Sequence, residues 1–412
     1  GIWIPIPITA SGEIYYNGKW KQRGGNFFLK LFGQENLGKP EKDIKDRKRQ
    51  ILNILFNKVP LGLGKGKTVD VSKSDFEEIM NTGMKWALQN GYAVEEDLEH
   101  CEENGSMEGD HSKVSQKAIN RGMKQVGSLG SGNHFLEVQR VEEIYDKETA
   151  EKFGLEEGQV TVTIHTGSRG FGHQVCSDYL QKTEKQYRDI VDKMPDKELA
   201  YALAQDQLAQ DYHKAMKCAS NFAWNNRQMV THNVRECFST IFNKDWQELG
   251  MELLYDVAHN IAKLEEHEIE GKRRKVYVHR KGATRSFAPG REEVPKAYRD
   301  IGQPVIIPGS MGTATYVLKG TQKAMETTFG STAHGAGRLM SRSGAKSKFW
   351  GEDVQDDLKR ENILVKSRSG GAGIAEEAPG AYKDVDEVVR VSDALGIGQK
   401  VAKLVPVVNV KG

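Results

Sequence analysis

Hydrophobic and polar positions change period several times along the chain. Ile2, Ile4, Ile6 and Ile8 alternate with other residues, the spacing of a strand with one buried face. Tyr15-Tyr16-Asn17-Gly18-Lys19-Trp20 reads as a hairpin, because Asn-Gly tolerates the positive φ of a tight turn. A charged helix is predicted from near Glu41 towards Phe56, and residues 74–103 are also predicted to be helical. From about residue 128, runs of Val and Ile pass repeatedly into Gly/Ser/Thr/Asn loops. The stretch 195–243 breaks that rhythm and reads as a helical insertion. Residues 385–404 give a last helix-like segment before a short apolar strand and Lys411-Gly412. The pattern predicts an α+β fold. One large mixed domain over 44–412 has a strand-rich core and the helical insertion around 195–243. A divergent, strand-rich segment of unknown role, 1–43, precedes it.

Composition narrows the class. Of 412 residues, 38% are hydrophobic and 28% charged, enough apolar material to bury a substantial core. The formal net charge is only +2, so a nucleic-acid partner would have to be held by local patches. The four cysteines form no CxxC pair, which fits a reducing compartment such as the cytoplasm. No apolar run has the length of a membrane span. The opening Ile-Trp-Ile-Pro-Ile-Pro-Ile-Thr-Ala is short, carries two prolines and lacks a basic lead, so it makes a poor signal peptide. The first residue is Gly rather than Met, as in a processed or incomplete product. Gly62-Leu63-Gly64-Lys65-Gly66-Lys67-Thr68 resembles a phosphate loop, but residue 61 is Leu and no buried strand precedes it. A solvated loop is the better reading.

Candidate chemistry gathers around four of the eleven histidines. His134 lies in Gly127-Ser-Leu-Gly-Ser-Gly-Asn-His-Phe-Leu-Glu137, and His165 ends the run Val160-Thr-Val-Thr-Ile164. His259 lies in Tyr255-Asp-Val-Ala-His-Asn260, and His334 in Gly330-Ser-Thr-Ala-His-Gly-Ala-Gly-Arg338. A strand end holds a side chain rigidly, and glycines let a ligand approach the backbone. Neutral imidazole binds transition metals, and glycine loops leave room for phosphate against backbone N–H groups. Any one such histidine is more often a structural residue; four similar settings argue for a site. Two more segments share the strand-then-loop form. The first, Lys275–Arg285 after the basic run Lys272-Arg273-Arg274, reads as a phosphate patch or an exposed charged hairpin. The second, Pro304–Thr313, reads as a cradle for a base or phosphate, or as an ordinary tight turn.

Taken in order, GSLGSGNHFLEVQ, HTGSRGFGHQV, YDVAHN, HRKGATRSF, PGSMGTATYVL, HGAGR and EEAPGAYKDVDEV resemble the RtcB family of RNA ligases. The likeness covers about residues 44–412. It implies an RtcB-like fold and a GTP- and manganese-dependent enzyme that acts in tRNA splicing and RNA repair. Such an enzyme joins RNA 3′-phosphate or 2′,3′-cyclic phosphate ends to 5′-hydroxyl ends. The resemblance makes His334 the nucleophile that takes the guanylyl group, and His134, His165 and His259 ligands of manganese, of which the family binds two ions. It makes Asn133, Glu137 and Asn260 contacts of the guanylyl nucleotide. The wider nucleotide site would add His134, Phe135, Leu136, His259, Pro308, Gly309, Ser310, Met311, Thr315, His334, Gly335, Ala336, Gly337 and Lys411. The implied partners are tRNA halves and an activating protein, archease. Ligases with a lysine nucleophile carry Lys-x-Asp-Gly, which does not occur here.

One departure matters. The family carries an Asp-x-x-Cys pair of manganese ligands upstream of the helix predicted near residue 41. Residues 1–43 contain no such pair, and the first cysteine is Cys101. Asp97 and Cys101 sit in a charged segment that matches a non-ligand part of the family, which makes them poor substitutes. Without a carboxylate and a thiolate, cation binding weakens, so one metal or none, and impaired ligation with GTP binding retained, are expected of these 412 residues. Ala333 stands where a cysteine often precedes the nucleophile, and a small residue suffices there. The rival readings are a metal-dependent phosphoesterase using the same histidines and a non-catalytic RNA- or GTP-binding relic.

Overall fold

The computed structural model describes residues 3–5, 25–31, 40–62, 66–193 and 201–412, with side chains from Ile44 onward. The hairpin expected at Asn17-Gly18 lies outside the described residues, as do Leu63–Lys65 of the glycine-rich loop. Of the alternating N-terminal run, Trp3–Pro5 forms a short strand antiparallel to Tyr201–Leu203.

The centre of the molecule is an eight-stranded sheet. Its strands follow the order Pro304–Pro308, Thr315–Lys319, Gln399–Lys411, Phe135–Ile144, Val160–Thr166, Gly25–Leu31 and Leu253–Val257, with Leu364–Ser367 parallel to Gln399–Lys411. Alternation in Val160-Thr-Val-Thr-Ile-His explains its middle. Successive side chains of a strand point to opposite faces. Val160, Val162 and Ile164 join Leu136, Val138, Val408 and Val410 in one apolar core. Thr161, Thr163 and His165 take the other face, which is also buried, so all seven residues of the strand are inside.

Two helices cover the apolar face. In Pro40–Lys58, Ile44, Ile51, Leu52 and Leu55 recur at helical spacing and are buried on the sheet. Beside them run Val230, Val234, Cys237, Phe238 and Ile241 of a 36-residue helix, Gln207–Phe242. This helix fills most of the stretch read as an insertion, yet it is no surface addition. Ala219, Phe222 and Met229 belong to a second core, and every residue from Cys218 to Thr231 is buried. A helix buried on all sides behaves as part of the core.

Two expectations need correction in extent. Residues 74–103 are not continuous helix. They form Lys73–Thr82, Met84–Gln89 and Glu95–Glu99, the first opened by a Ser72/Asp75 capping box and closed at Gly83, where φ is +60°. The last helix stops at Ala394, and residues 399–404 are strand. Gly396, at φ +69°, breaks the helix. The chain beyond then pairs with both Thr315–Lys319 and Phe135–Ile144, a tertiary gain that local propensity does not register.

Candidate functional site

All four singled-out histidines sit at strand ends. His134 immediately precedes Phe135–Ile144, and His165 is the penultimate residue of Val160–Thr166. His259 lies between Leu253–Val257 and Asn260–Ile269, and His334 follows Ser331–Ala333. Sheet register aligns these ends: Lys411 faces Phe135, Phe135 faces His165, His165 faces Asn26, and Asn26 faces Val257. The imidazoles consequently form a row. Ring centroids are 6.0 Å apart for His134 and His165, 5.1 Å for His165 and His259, and 4.6 Å for His259 and His334. The first three are buried, while His334 is half-buried at the open end.

The long helix fixes the loops that carry this row. Asn226 receives the Ser128 N–H at 3.0 Å and donates to the carbonyls of Ser128 and Gly167, at 3.0 and 3.1 Å. One side chain thus ties the loop before His134 to the loop after His165. Arg227, one residue on, grips the buried carboxylate of Asp256 and donates to the Thr166 carbonyl at 3.1 Å. Glu102 accepts the Ala258 N–H at 2.7 Å and pairs with Lys263, which sets the backbone at His259.

Arg169 adds a buried cation. Its φ of +51° places a non-glycine residue in the left-handed region, a conformation that persists only where surroundings hold it. Its guanidinium donates to Ser128 Oγ at 3.2 Å, His134 Nδ1 at 3.1 Å and the Gly62 carbonyl at 3.1 Å. All three are neutral groups, and burial lowers its pKa to about 10. A Cβ on Gly130 would fall 1.9 Å from Arg169 Nη1 and 2.5 Å from His134 Nδ1, so only glycine admits this contact.

Beside the row lies a pocket of about 570 Å³, counting its open mouth. Asn133, Phe135, Glu137, His165, Pro308–Met311, His334–Arg338, Tyr382, Asn409 and Lys411 line it. The two turns of its wall are joined where the Ala336 N–H donates to the Pro308 carbonyl at 3.0 Å. Glu137 is buried at its base, and both carboxyl oxygens accept from amides, those of Gln139 and Asn409. Burial pushes the Glu137 carboxyl up to about 8, against the pull of Lys411 and the two amides. Burial lowers the Lys411 pKa, while Glu377 and then Glu137 raise it.

Most of the expected nucleotide residues therefore meet in one place, with exceptions. Leu136 points to the opposite face and is packed in the apolar core, as strand alternation requires once Phe135 and Glu137 face the pocket. Thr315 stands behind the wall, where its hydroxyl accepts from Gln139 at 2.8 Å. His134 and His259 belong to the imidazole row rather than the pocket wall, and Asn260 lies against His259. The expected basic patch is also partly overturned. Arg280 and Arg285 are buried ion-pair partners of Glu265 and of Glu102 and Glu103; Lys272–Lys275 are exposed.

The row supplies imidazole donors, but among the described residues no three His, Cys, Asp or Glu side chains converge as a metal's ligand set. Arginine can only donate, so His134 Nδ1 accepts from Arg169 and its neutral ring carries the proton on Nε2. The Asn260 amide lies 2.6 Å from His259 Nδ1; with its oxygen turned to the ring, His259 would keep a lone pair on Nε2. Asp97 is taken by Arg235, at 2.7 Å. Cys101 is buried, and burial raises its thiol pKa well above the ordinary range. The residues described do not make a complete manganese site.

Residues 36–412 match the family described as tRNA-splicing ligase RtcB. The chain belongs to the RtcB family. It is 54% identical over 373 residues to the tRNA-splicing ligase RtcB of Pyrococcus abyssi, covering 90% of this chain and 41% of that protein. It is 52% identical over 372 residues to the protein of that name from Archaeoglobus fulgidus, covering 90% of this chain and 77% of the other. The chain thus spans well under half the length of the Pyrococcus relative and about three quarters of the Archaeoglobus one. As in the expectation drawn from the motifs, the fold is mixed α+β. No described helix is long and apolar enough to cross a membrane. Within this RtcB chain, sequence reasoning passed over Arg169, Asn226, Arg227, Gln139, Arg338, Tyr382, Asn409 and Glu377. Gln139, Arg169, Arg338, Tyr382 and Glu377 stood inside the quoted motifs, but only contacts reveal their part. Asn226 and Arg227 gave no signal of their own, since polar residues occur all along this helix and only burial sets these two apart.

Proposed function

We propose that the chain is a GTP-dependent RNA ligase acting in tRNA splicing and RNA repair in the cytoplasm. It would join an RNA 3′-phosphate, or a 2′,3′-cyclic phosphate first opened by water, to a 5′-hydroxyl end. The observation that carries this reading is the position of His334, at the open end of the imidazole row and in the wall of the pocket. The relatives' name supports the substrate class.

In this reading a neutral nitrogen of His334 attacks the α-phosphorus of GTP. An N–P bond forms, the bond to the bridging oxygen breaks, and pyrophosphate leaves. The GMP then passes to an oxygen of the RNA 3′-phosphate, and His334 is freed. The 5′-hydroxyl oxygen attacks that phosphorus, loses its proton and expels GMP. Glu137, Lys411, Asn133 and the turn Pro308–Met311 hold the nucleotide, and Arg169, a buried cation among neutral partners, suits an RNA phosphate. Manganese would neutralise phosphate charge in such chemistry. His165 and His259 are the donors proposed for it, and His134 would join them only where Arg169 releases its Nδ1; since the described set is incomplete, no step here runs through the metal.

The incomplete set supports a second reading, in which these 412 residues take up GMP but do not ligate. Incubation with α-labelled GTP and manganese separates the cases. Label retained on the wild-type protein and lost in His334→Ala is expected, as is its release by acid. No retained label would sink the nucleotidyl step and leave the phosphoesterase or the relic. Label without joined RNA favours the second reading.

A further inference from the structure

Asn226 is fully buried in the long helix, and its side chain bonds only to backbone. It accepts the Ser128 N–H and donates to the Ser128 carbonyl, both at 3.0 Å, so one amide satisfies both backbone groups of that residue as a neighbouring strand would. Its other donated bond, at 3.1 Å, reaches the Gly167 carbonyl. Neither Ser128 nor Gly167 belongs to a strand. The histidines need no such support, because sheet register sets Phe135, next to His134, opposite His165.

What depends on these two loops is Arg169. Its guanidinium donates to Ser128 Oγ and to His134 Nδ1, and its backbone, two residues after Gly167, is held at a φ of +51°. The Gly170 N–H donates to Gln125 Oε1 at 2.8 Å, and Ser128 Oγ donates to the Gln125 carbonyl at 2.7 Å. Asn226 therefore holds both sides of the Arg169 contact, the chain that carries the guanidinium and the residue that receives it. A non-glycine residue keeps a left-handed conformation only while its surroundings dictate it. Freed from Ser128 and Gly167, Arg169 relaxes to negative φ and its side chain leaves the imidazole row.

We propose that Asn226 is a positioning residue for the RNA: it clamps the Ser128 and Gly167 loops together and so presents Arg169 to an RNA phosphate. The proposal rests on the functional reading above, in which Arg169 takes that phosphate. Asn226 touches no reacting atom and acts through Arg169. The residue type fits the task, since an amide offers an acceptor for the one N–H and two donors for the two carbonyls. Aspartate has the same shape but no donor, and serine is too short to span both loops.

The test is RNA binding by the 412-residue chain for wild type, Arg169→Met, Asn226→Ala and the double variant. The probe is a short single-stranded RNA with a 5′-hydroxyl and a 3′-phosphate, titrated by fluorescence anisotropy at several salt concentrations without GTP, so that no ligation consumes it. Arg169→Met should raise the Kd about tenfold, the scale of a lost charge-assisted contact. It should also flatten the slope of log Kd against log salt by about 0.7, one single-strand phosphate contact. Asn226→Ala should raise the Kd about threefold or more and flatten the slope in the same direction, and the double variant should bind no more weakly than Arg169→Met alone. A residue that served stability alone would leave the salt slope unchanged and add its own loss to that of Arg169→Met. Either result in folded protein overturns the proposal, as does a wild-type Kd in folded Asn226→Ala. If the alanine variant does not fold, Asn226→Ser, which leaves space for a bridging water, carries the same cycle with the same outcomes. Wild-type protein that binds no RNA, or Arg169→Met that binds as wild type does, would overturn the reading of Arg169 itself, and this inference with it.

Discussion

At the scale of single residues, the site is built from charges that burial has displaced. Glu137 is the clearest case, since its carboxyl is pushed up to about 8 while an unfolded chain has glutamate near 4.3. Between those values the folded protein holds a proton that the unfolded chain has released. Stability supplied by this group is therefore full below about 4.3 and falls as pH rises towards 8. Glu137→Gln cannot titrate, so its stability relative to wild type should climb across the same window. The expected gain between pH 5 and pH 8.5 is on the order of 2–4 kcal/mol, read as the difference in urea-unfolding free energy. Other titrating groups cancel in that difference. A flat difference would mean that Glu137 is ionised at neutral pH and that Lys411 is its partner.

At the scale of elements, the Gln207–Phe242 helix holds two loops and the strand Leu253–Val257 at once through two adjacent residues, Asn226 and Arg227. Arg227→Met keeps most of the side-chain volume and removes the charge. Asp256 would then be buried beside Glu102 with no cation of its own, a loss of about 3–5 kcal/mol. The double variant Arg227→Met/Asp256→Asn should recover much of it, since no charge is left unpaired. Unfolding midpoints check both; a single variant within 1 kcal/mol of wild type would show the pair to be dispensable. This helix also marks how far the sequence could be read. Its length and its break with the strand rhythm were legible at 195–243, as was the helix towards Phe56 and the alternation that makes Val160–Thr166 a strand. The four histidines were legible by their strand-then-glycine settings. What the pattern concealed was which partners the charges would meet. Arg280 and Arg285 read as a surface patch because their carboxylates, Glu265, Glu102 and Glu103, lie up to 183 positions earlier. Leu136 read as a site residue because it sits between two, although the pleat turns it away.

At the scale of the whole molecule, the sheet depends on a strand outside the family's matched segment. Gly25–Leu31 forms seven register pairs with Val160–Thr166 and pairs on its other side with Leu253–Val257. Residues 36–412 alone carry the match, so the family likeness does not include the strand that joins these two. Both neighbours end at the site, one with His165 and the other two residues before His259. Removing residues 1–39 would leave an unpaired edge on each, and Leu253–Val257 would have no sheet neighbour along this path. Open edges of buried strands are sites of aggregation, and a backbone group left unpaired inside costs about as much as a lost hydrogen bond. A chain beginning at Pro40 should therefore be insoluble or unfold without cooperativity, whereas one beginning at Gly25 should keep a sharp transition, because among the described residues it gives up only the three-residue pairing of Trp3–Pro5. Thermal unfolding followed by circular dichroism distinguishes them. If both truncated chains melted like the full one, Gly25–Leu31 would be an ornament on a sheet complete without it, and the spacing of His165 and His259 would need another cause.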